Sequence, residues 1–165
     1  MLRPYHALVL LLLTLPAAGT TRAASEAPAA PLYGVTLPEG YRRWELIAPA
    51  QETAPLDELR AALGNDIAMA AYRAGTLPFP DGSVLVKLAW RHQPSAEYPP
   101  AFVPGAATTV QVMVKDSRRY AGSGGWGFGR FTGGVPADEA QHETCFACHA
   151  ERVRDHDRVF TRLAP

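Results

Sequence analysis

Apolar and polar positions alternate through much of the chain. In TTVQVMVKD, Thr108 to Asp116, residues Val110, Val112 and Val114 fall on one face and Thr109, Gln111 and Met113 on the other, which predicts a strand. YRRWELIAP, Tyr41 to Pro49, sets Trp44, Leu46 and Ala48 against Arg43, Glu45 and Ile47 and predicts another. SVLVKLAW, Ser83 to Trp90, suits a buried strand except at Lys87. GGWGFGRF, Gly124 to Phe131, spaces aromatics among glycines, as a strand packed closely on something does. DELRAAL, Asp57 to Leu63, is ambiguous between strand and helix. Asn65 as N-cap and Gly75 as C-terminal stop bracket DIAMAAYRA as a helix. PFPDGS is turn chemistry feeding the Ser83 strand, and the Pro-rich stretch from His92 to Ala106 reads as a loop. DSRRYAG predicts a short helix, and ADEAQHETC begins a helical turn. The sum is an α+β domain, a mainly antiparallel sheet of four or five strands with short helices and no internal repeat.

A lysine in an apolar strand either carries its charge out to water along a covered stem or faces a partner that justifies its burial. Periodicity alone leaves both open for Lys87, which shares a face with Leu85 and Ala89.

Arg3, the apolar run Ala7 to Leu15 and the small residues ending near Ala23 have the order of a cleaved secretory signal peptide, residues 1–23. The apolar run is far shorter than the roughly 20 residues of a spanning helix. Residues 24–32 are Ala/Pro-rich and read as a flexible segment, leaving 33–165 as one domain. Formal net charge is 0 and 47% of residues are apolar, so no basic excess points to nucleic acid. These bounds describe a small exported domain and name no chemistry.

The only two cysteines stand in TCFACHAE, as Cys145 and Cys148, with His149 directly after. A redox Cys-x-x-Cys pair belongs at the head of a helix in a thioredoxin-like βαβ unit, and no such pattern precedes Cys145. Structural zinc needs four ligands, and no second Cys or Cys/His pair is suitably spaced. Attachment of haem c uses all three residues: two thiols for the vinyl groups and the adjacent imidazole for iron.

With that motif in place, GNDIAMAAYRAG, LPFPDGSVLVKLAW, FVPGAATTVQVMVKDSRRYA, GGWGFGRF and TCFACHAERVRDHDRVFTRLAP together resemble the cytochrome P-460 family, which includes cytochrome c′-beta. The resemblance implies a largely antiparallel fold, a homodimer, a periplasmic location and a five-coordinate haem with His149 as proximal iron ligand. It also implies small nitrogen ligands, hydroxylamine or nitric oxide, and an electron-transfer cytochrome as partner. In hydroxylamine-oxidising members a lysine late in the strand after the Asp-Gly turn is bonded to the macrocycle; the matching residue is Lys87. A distal arginine matches Arg60, and a distal glutamate is replaced here by Gln111. An amide cannot act as a general base near neutral pH, so the family's proton-transfer chemistry is weakened at that position.

Met113, His92, His142 and His156 are the residues able to close the sixth iron position. Met113 reads as packing, and the three histidines, flanked by polar neighbours, read as solvated. Phe79, Phe102, Trp126 and Phe128 are candidates for the walls of a dry pocket or for ordinary core. An oxidase, a nitric oxide binder and a six-coordinate electron carrier are therefore the three functions to separate.

Overall fold

The computed structural model describes residues 27–165, so the expected signal peptide lies outside the described residues. One six-stranded sheet runs in chain order, every neighbour antiparallel. Its strands are β1 (Glu45–Glu52), β2 (Glu58–Gly64), β3 (Val84–Pro94), β4 (Phe102–Lys115), β5 (Trp126–Thr132) and β6 (Val135–Pro136). Two helices, α1 (Asp66–Ala74) and α2 (Glu139–Arg152), complete the α+β architecture. Among the described residues no helix is long and apolar enough to cross a membrane.

The expected strands are present, with instructive differences. Tyr41–Arg43 forms a 3-10 turn, and β1 begins only at Glu45. A register shift between Leu46 and Ala48 re-aims β1, so that Ile47 is buried while Leu46 is exposed. The ambiguous segment is strand β2, paired on both sides. Much of the expected His92–Ala106 loop is instead a hairpin, with β3 reaching Pro94 and β4 starting at Phe102. Pairing of β4 with β5 starts only at Val110, so Pro104 lies where β4 is still a sheet edge and its missing N–H breaks no ladder. No helix forms over DSRRYAG beyond a 3-10 turn at Ala121–Ser123. The Asp116 carboxylate accepts the Arg118 and Arg119 N–H groups at 3.1 and 2.9 Å, a local turn that competes with a helix.

Cross-strand register assigns the two sheet faces. On one, Val86, Leu88, Val112 and Phe131 pack with Leu63, Tyr120 and the incoming segment at Ala30 and Val35. Ala30 N–H donates to Val35 O at 2.7 Å, so packed chain begins ahead of Tyr33. The opposite face carries Leu85, Lys87, Gln111, Met113, Lys115, Trp126, Phe128 and Arg130. Here Ile47, Phe79, Leu85, Trp126 and Phe128 form a core with Ala68, Met69 and Ala71 of α1.

Asn65 fixes α1 to that face. Its Oδ1 accepts the Ala68 and Val84 N–H groups, both at 3.0 Å, and its Nδ2 donates to Gly82 O at 2.8 Å. One amide thus caps α1, stabilising it by about 1 kcal/mol, and holds the start of the strand that carries Lys87. Gly75, at φ 63, takes the left-handed position that ends the helix.

Candidate functional site

Helix α2 is capped by Asp138, whose carboxylate accepts the Gln141 N–H at 2.9 Å. Within it Cys145, Cys148 and His149 are spaced by three and four residues, which places them on one side of the helix. Both cysteines are free thiols, Cys145 half-buried and Cys148 exposed. Burial raises the Cys145 pKa, while Arg130 and Lys87 pull it back.

His142 docks this helix. It is fully buried, accepts the Arg130 N–H of β5 at Nε2 (3.0 Å) and donates Nδ1–H to Asp138 O (2.7 Å). The expectation of a solvated histidine is wrong here. Both ring nitrogens are engaged in holding α2 on the sheet. The sequence signal was the 142/145/149 spacing along one helical stripe.

His149 lies between two rings, Phe128 at 5.0 Å and Phe160 at 4.9 Å between centroids. Its Nδ1 is 2.7 Å from Arg158 O. A carbonyl only accepts, so Nδ1 carries the proton and Nε2 keeps its lone pair. Burial, chiefly, lowers the imidazole pKa and favours that neutral form; the hydrogen bond to Arg158 O opposes it, and Lys87 adds a smaller push downward.

Beside this helix the register brings the predicted sheet residues together. Lys87 stands between Ala62 on β2 and Gln111 on β4, and Gln111 in turn pairs with Arg130 on β5. One step along, Arg60 pairs with Ala89 and Ala89 with Thr109. Burial, then the Arg60 charge, bring Lys87 from 10.5 down to about 8. Glu58, Arg130 and Cys145 also act on Lys87, so its amine sits among the groups of both the sheet face and α2. Gln111 donates weakly to Thr109 Oγ1 at 3.4 Å.

Arg60 is not a free surface arginine. It pairs with Glu52 and donates from Nε and Nη2 to Glu58 Oε2 at 3.1 and 2.8 Å. Glu58 is only 4% exposed, and its other oxygen accepts from Thr108 Oγ1 at 2.6 Å. A cavity of about 380 Å³ opens beside it, lined in part by Glu58, Thr108, Thr109 and Arg130. Sequence reasoning passed over Glu58 and Arg130. Their importance comes from cross-strand neighbours far away in sequence, for which no local pattern exists.

The remaining candidates separate cleanly. Phe79, Trp126 and Phe128 belong to the core under the site, whereas Phe102 is 53% exposed and stacks on His92 at 3.9 Å. His92 lies five residues beyond Lys87 on β3, roughly 16 Å at about 3.3 Å per residue, and is tied to Gln51 and Asp57, each at 3.3 Å. Met113 pairs with Leu85 and Phe128 and packs on the core. His156 packs edge-on to Phe79, with its Nδ1 2.8 Å from Val159 O.

Two free thiols and an imidazole with Nε2 available, on one side of a helix laid against a partly open sheet face, are the donor set for haem. Among the described residues no group of three or more His, Cys, Asp or Glu side chains converges as a metal site, so the motif lacks the partners a structural zinc needs. Fold and donors together define a haem-binding protein built on a β-sheet. The Cytochrome P460 family model matches residues 38–161, and the chain belongs to that family of haem proteins. No curated protein sequence matches the chain.

Proposed function

We propose that the chain carries one covalently attached haem c, with thioether links at Cys145 and Cys148 and His149 on iron, and binds or oxidises a small nitrogen species. Hydroxylamine and nitric oxide are the ligands proposed. The observation that carries this reading is the commitment of His149 Nδ1–H to Arg158 O, which leaves Nε2 as the ligating atom beside two free thiols. Bound there, haem supplies an iron able to take a small nitrogen ligand and to exchange electrons.

The chain's own residues do the rest. Lys87, with a pKa of about 8, offers a partly neutral and therefore nucleophilic amine on this face near neutral pH. Arg60, held by Glu52 and Glu58, keeps a fixed positive charge that can orient a polar ligand. Gln111 can donate or accept a hydrogen bond but cannot take a proton near neutral pH. Hydroxylamine oxidation with electrons passing to a periplasmic cytochrome is favoured by the Lys87 amine. A second reading, capture of nitric oxide without turnover, is favoured by Gln111. The engaged nitrogens of His142 and the ties of His92 to Gln51, Asp57 and Phe102 support an open iron position over a six-coordinate electron carrier. Export to the periplasm and assembly as a homodimer are part of the same proposal.

Absorption spectroscopy and peptide mass analysis of the purified haem protein test it. A haem-linked peptide containing Cys145 and Cys148, a second link at Lys87 and a red-shifted Soret band support oxidation. A five-coordinate spectrum with no Lys87 adduct supports nitric oxide binding. A low-spin six-coordinate ferric spectrum, unchanged by nitric oxide, defeats both.

A further inference from the structure

We infer that the buried Lys115–Asp157 ion pair is a positioning device for His149, acting through the backbone carbonyl of Arg158. This rests on the reading that His149 is the iron ligand.

Arg158 O receives the His149 Nδ1–H at 2.7 Å and therefore sets which nitrogen is protonated and how the ring is turned. That carbonyl belongs to an unusual piece of backbone. Asp157 and Arg158 are consecutive non-glycine residues at φ 48 and 64, in the left-handed region that side chains disfavour. Such a turn persists only where its surroundings over-determine it. Arg158's own side chain adds a long ion pair to Asp157 Oδ1 at 4.0 Å and lies 6.0 Å from the Phe146 ring centroid, but its Nε is buried with no hydrogen-bond partner among the described residues.

Backbone bonds from Arg158 N–H to Val153 O and from Val159 N–H to His156 O, both at 2.9 Å, hold part of the turn, and Asp157 supplies the side-chain restraint. Its carboxylate receives Lys115 Nζ at 2.9 and 2.8 Å and the Phe79 N–H at 2.9 Å. Both partners of the ion pair are buried. Lys115 is itself fixed from β4: its Nζ lies 5.0 Å from the Trp126 ring centroid and 3.4 Å from Gly124 O. Val159, 1% exposed, anchors the far side of the turn in the core, and Phe160 then places its ring edge-on to His149. A charge pair on the sheet is thereby transmitted through one turn to the proximal imidazole. A partner on the second nitrogen raises ligand basicity. Disturbing the ion pair should weaken that partner and make His149 a poorer donor to iron.

The experiment uses the haem-loaded full chain bearing Asp157→Asn, which keeps the side-chain shape and an oxygen for Phe79 N–H but removes the charge. The expected result is a shift of the ferrous iron–histidine stretching band to lower frequency in resonance Raman spectra, with a rise in reduction potential. Lys115→Arg, which keeps the pair, should leave both near the parent values. If Asp157→Asn does not fold, Lys115→Met with Asp157→Asn removes both charges together, and the same two shifts are expected. A parent iron–histidine band that stays in place in the charge-removing variant, with an unchanged potential, overturns the inference while leaving His149 as ligand. Absence of that band from a parent protein that is high-spin and five-coordinate in the ferrous state overturns His149 ligation and the inference with it.

Discussion

Lys87→Met isolates the cost of placing an ammonium on this sheet face. Methionine keeps a side chain of similar length between Ala62 and Gln111 and removes the charge. The Lys87 pKa falls from 10.5 to about 8 on folding. At roughly 1.4 kcal/mol per pH unit, this corresponds to about 3 kcal/mol acting against the fold. Water reaching the half-buried side chain reduces that to about 2–3 kcal/mol. Below pH 8 the amine is protonated in both folded and unfolded chains, and the whole penalty is present. Between pH 8 and 10.5 the unfolded chain holds the extra proton, so parent stability rises with pH. Above 10.5 both forms are neutral and the penalty is gone. Urea unfolding of the haem-free chain bearing Cys145→Ser and Cys148→Ser, followed by the combined fluorescence of Trp44, Trp90 and Trp126, reads this directly. Lys87→Met should be more stable than its parent by about 2–3 kcal/mol near pH 7 and equal to it near pH 11. An advantage of the same size at both pH values, or none near pH 7, would refute burial of the charge as its origin.

His142→Leu should destabilise the fold by about 1–3 kcal/mol, because the Arg130 N–H loses its acceptor; urea melts at neutral pH measure it. Gln111→Glu should increase hydroxylamine oxidation with an artificial electron acceptor, since a carboxylate beside Lys87 can take a proton. Unchanged turnover would mean that proton transfer does not limit the reaction. Cys145→Ser with Cys148→Ser should abolish covalent haem, judged by mass spectrometry of the denatured protein; retained covalent haem would place the attachment elsewhere.

Short-range chemistry was legible in the chain and long-range register was not. Asn65 and Gly75 announced α1 to the residue because cap geometry is local. The alternation in TTVQVMVKD announced β4, but its first five residues, Phe102 to Ala106, looked like loop because Pro104 and its small neighbours carry no period. ELRAALG fits a strand or a helix equally well until strands on both sides pair with it. At the site, Cys145, Cys148 and His149 could be read directly from their spacing, and Lys87 announced itself as a charge in an apolar strand. Glu58 gave no such sign. It lies in an acidic stretch that resembles surface, and Arg60 together with Thr108, fifty residues later, makes its burial tolerable. Asp157 is hidden in the same way, since the lysine that fixes it lies on β4, in another part of the sequence.

The chain has just two lysines, Lys87 and Lys115, and both project from the same sheet face into the interior, while the other fourteen of its sixteen Lys and Arg residues are arginines. Apart from the terminal amine, the outer surface therefore offers almost nothing to amine-directed reagents. Succinimidyl crosslinkers would miss its complexes even when they form, and a partner must be captured through carboxylates or photochemistry instead. The same scarcity makes reductive methylation with isotopic label a near-silent background against which a single reactive amine, Lys87, can be followed.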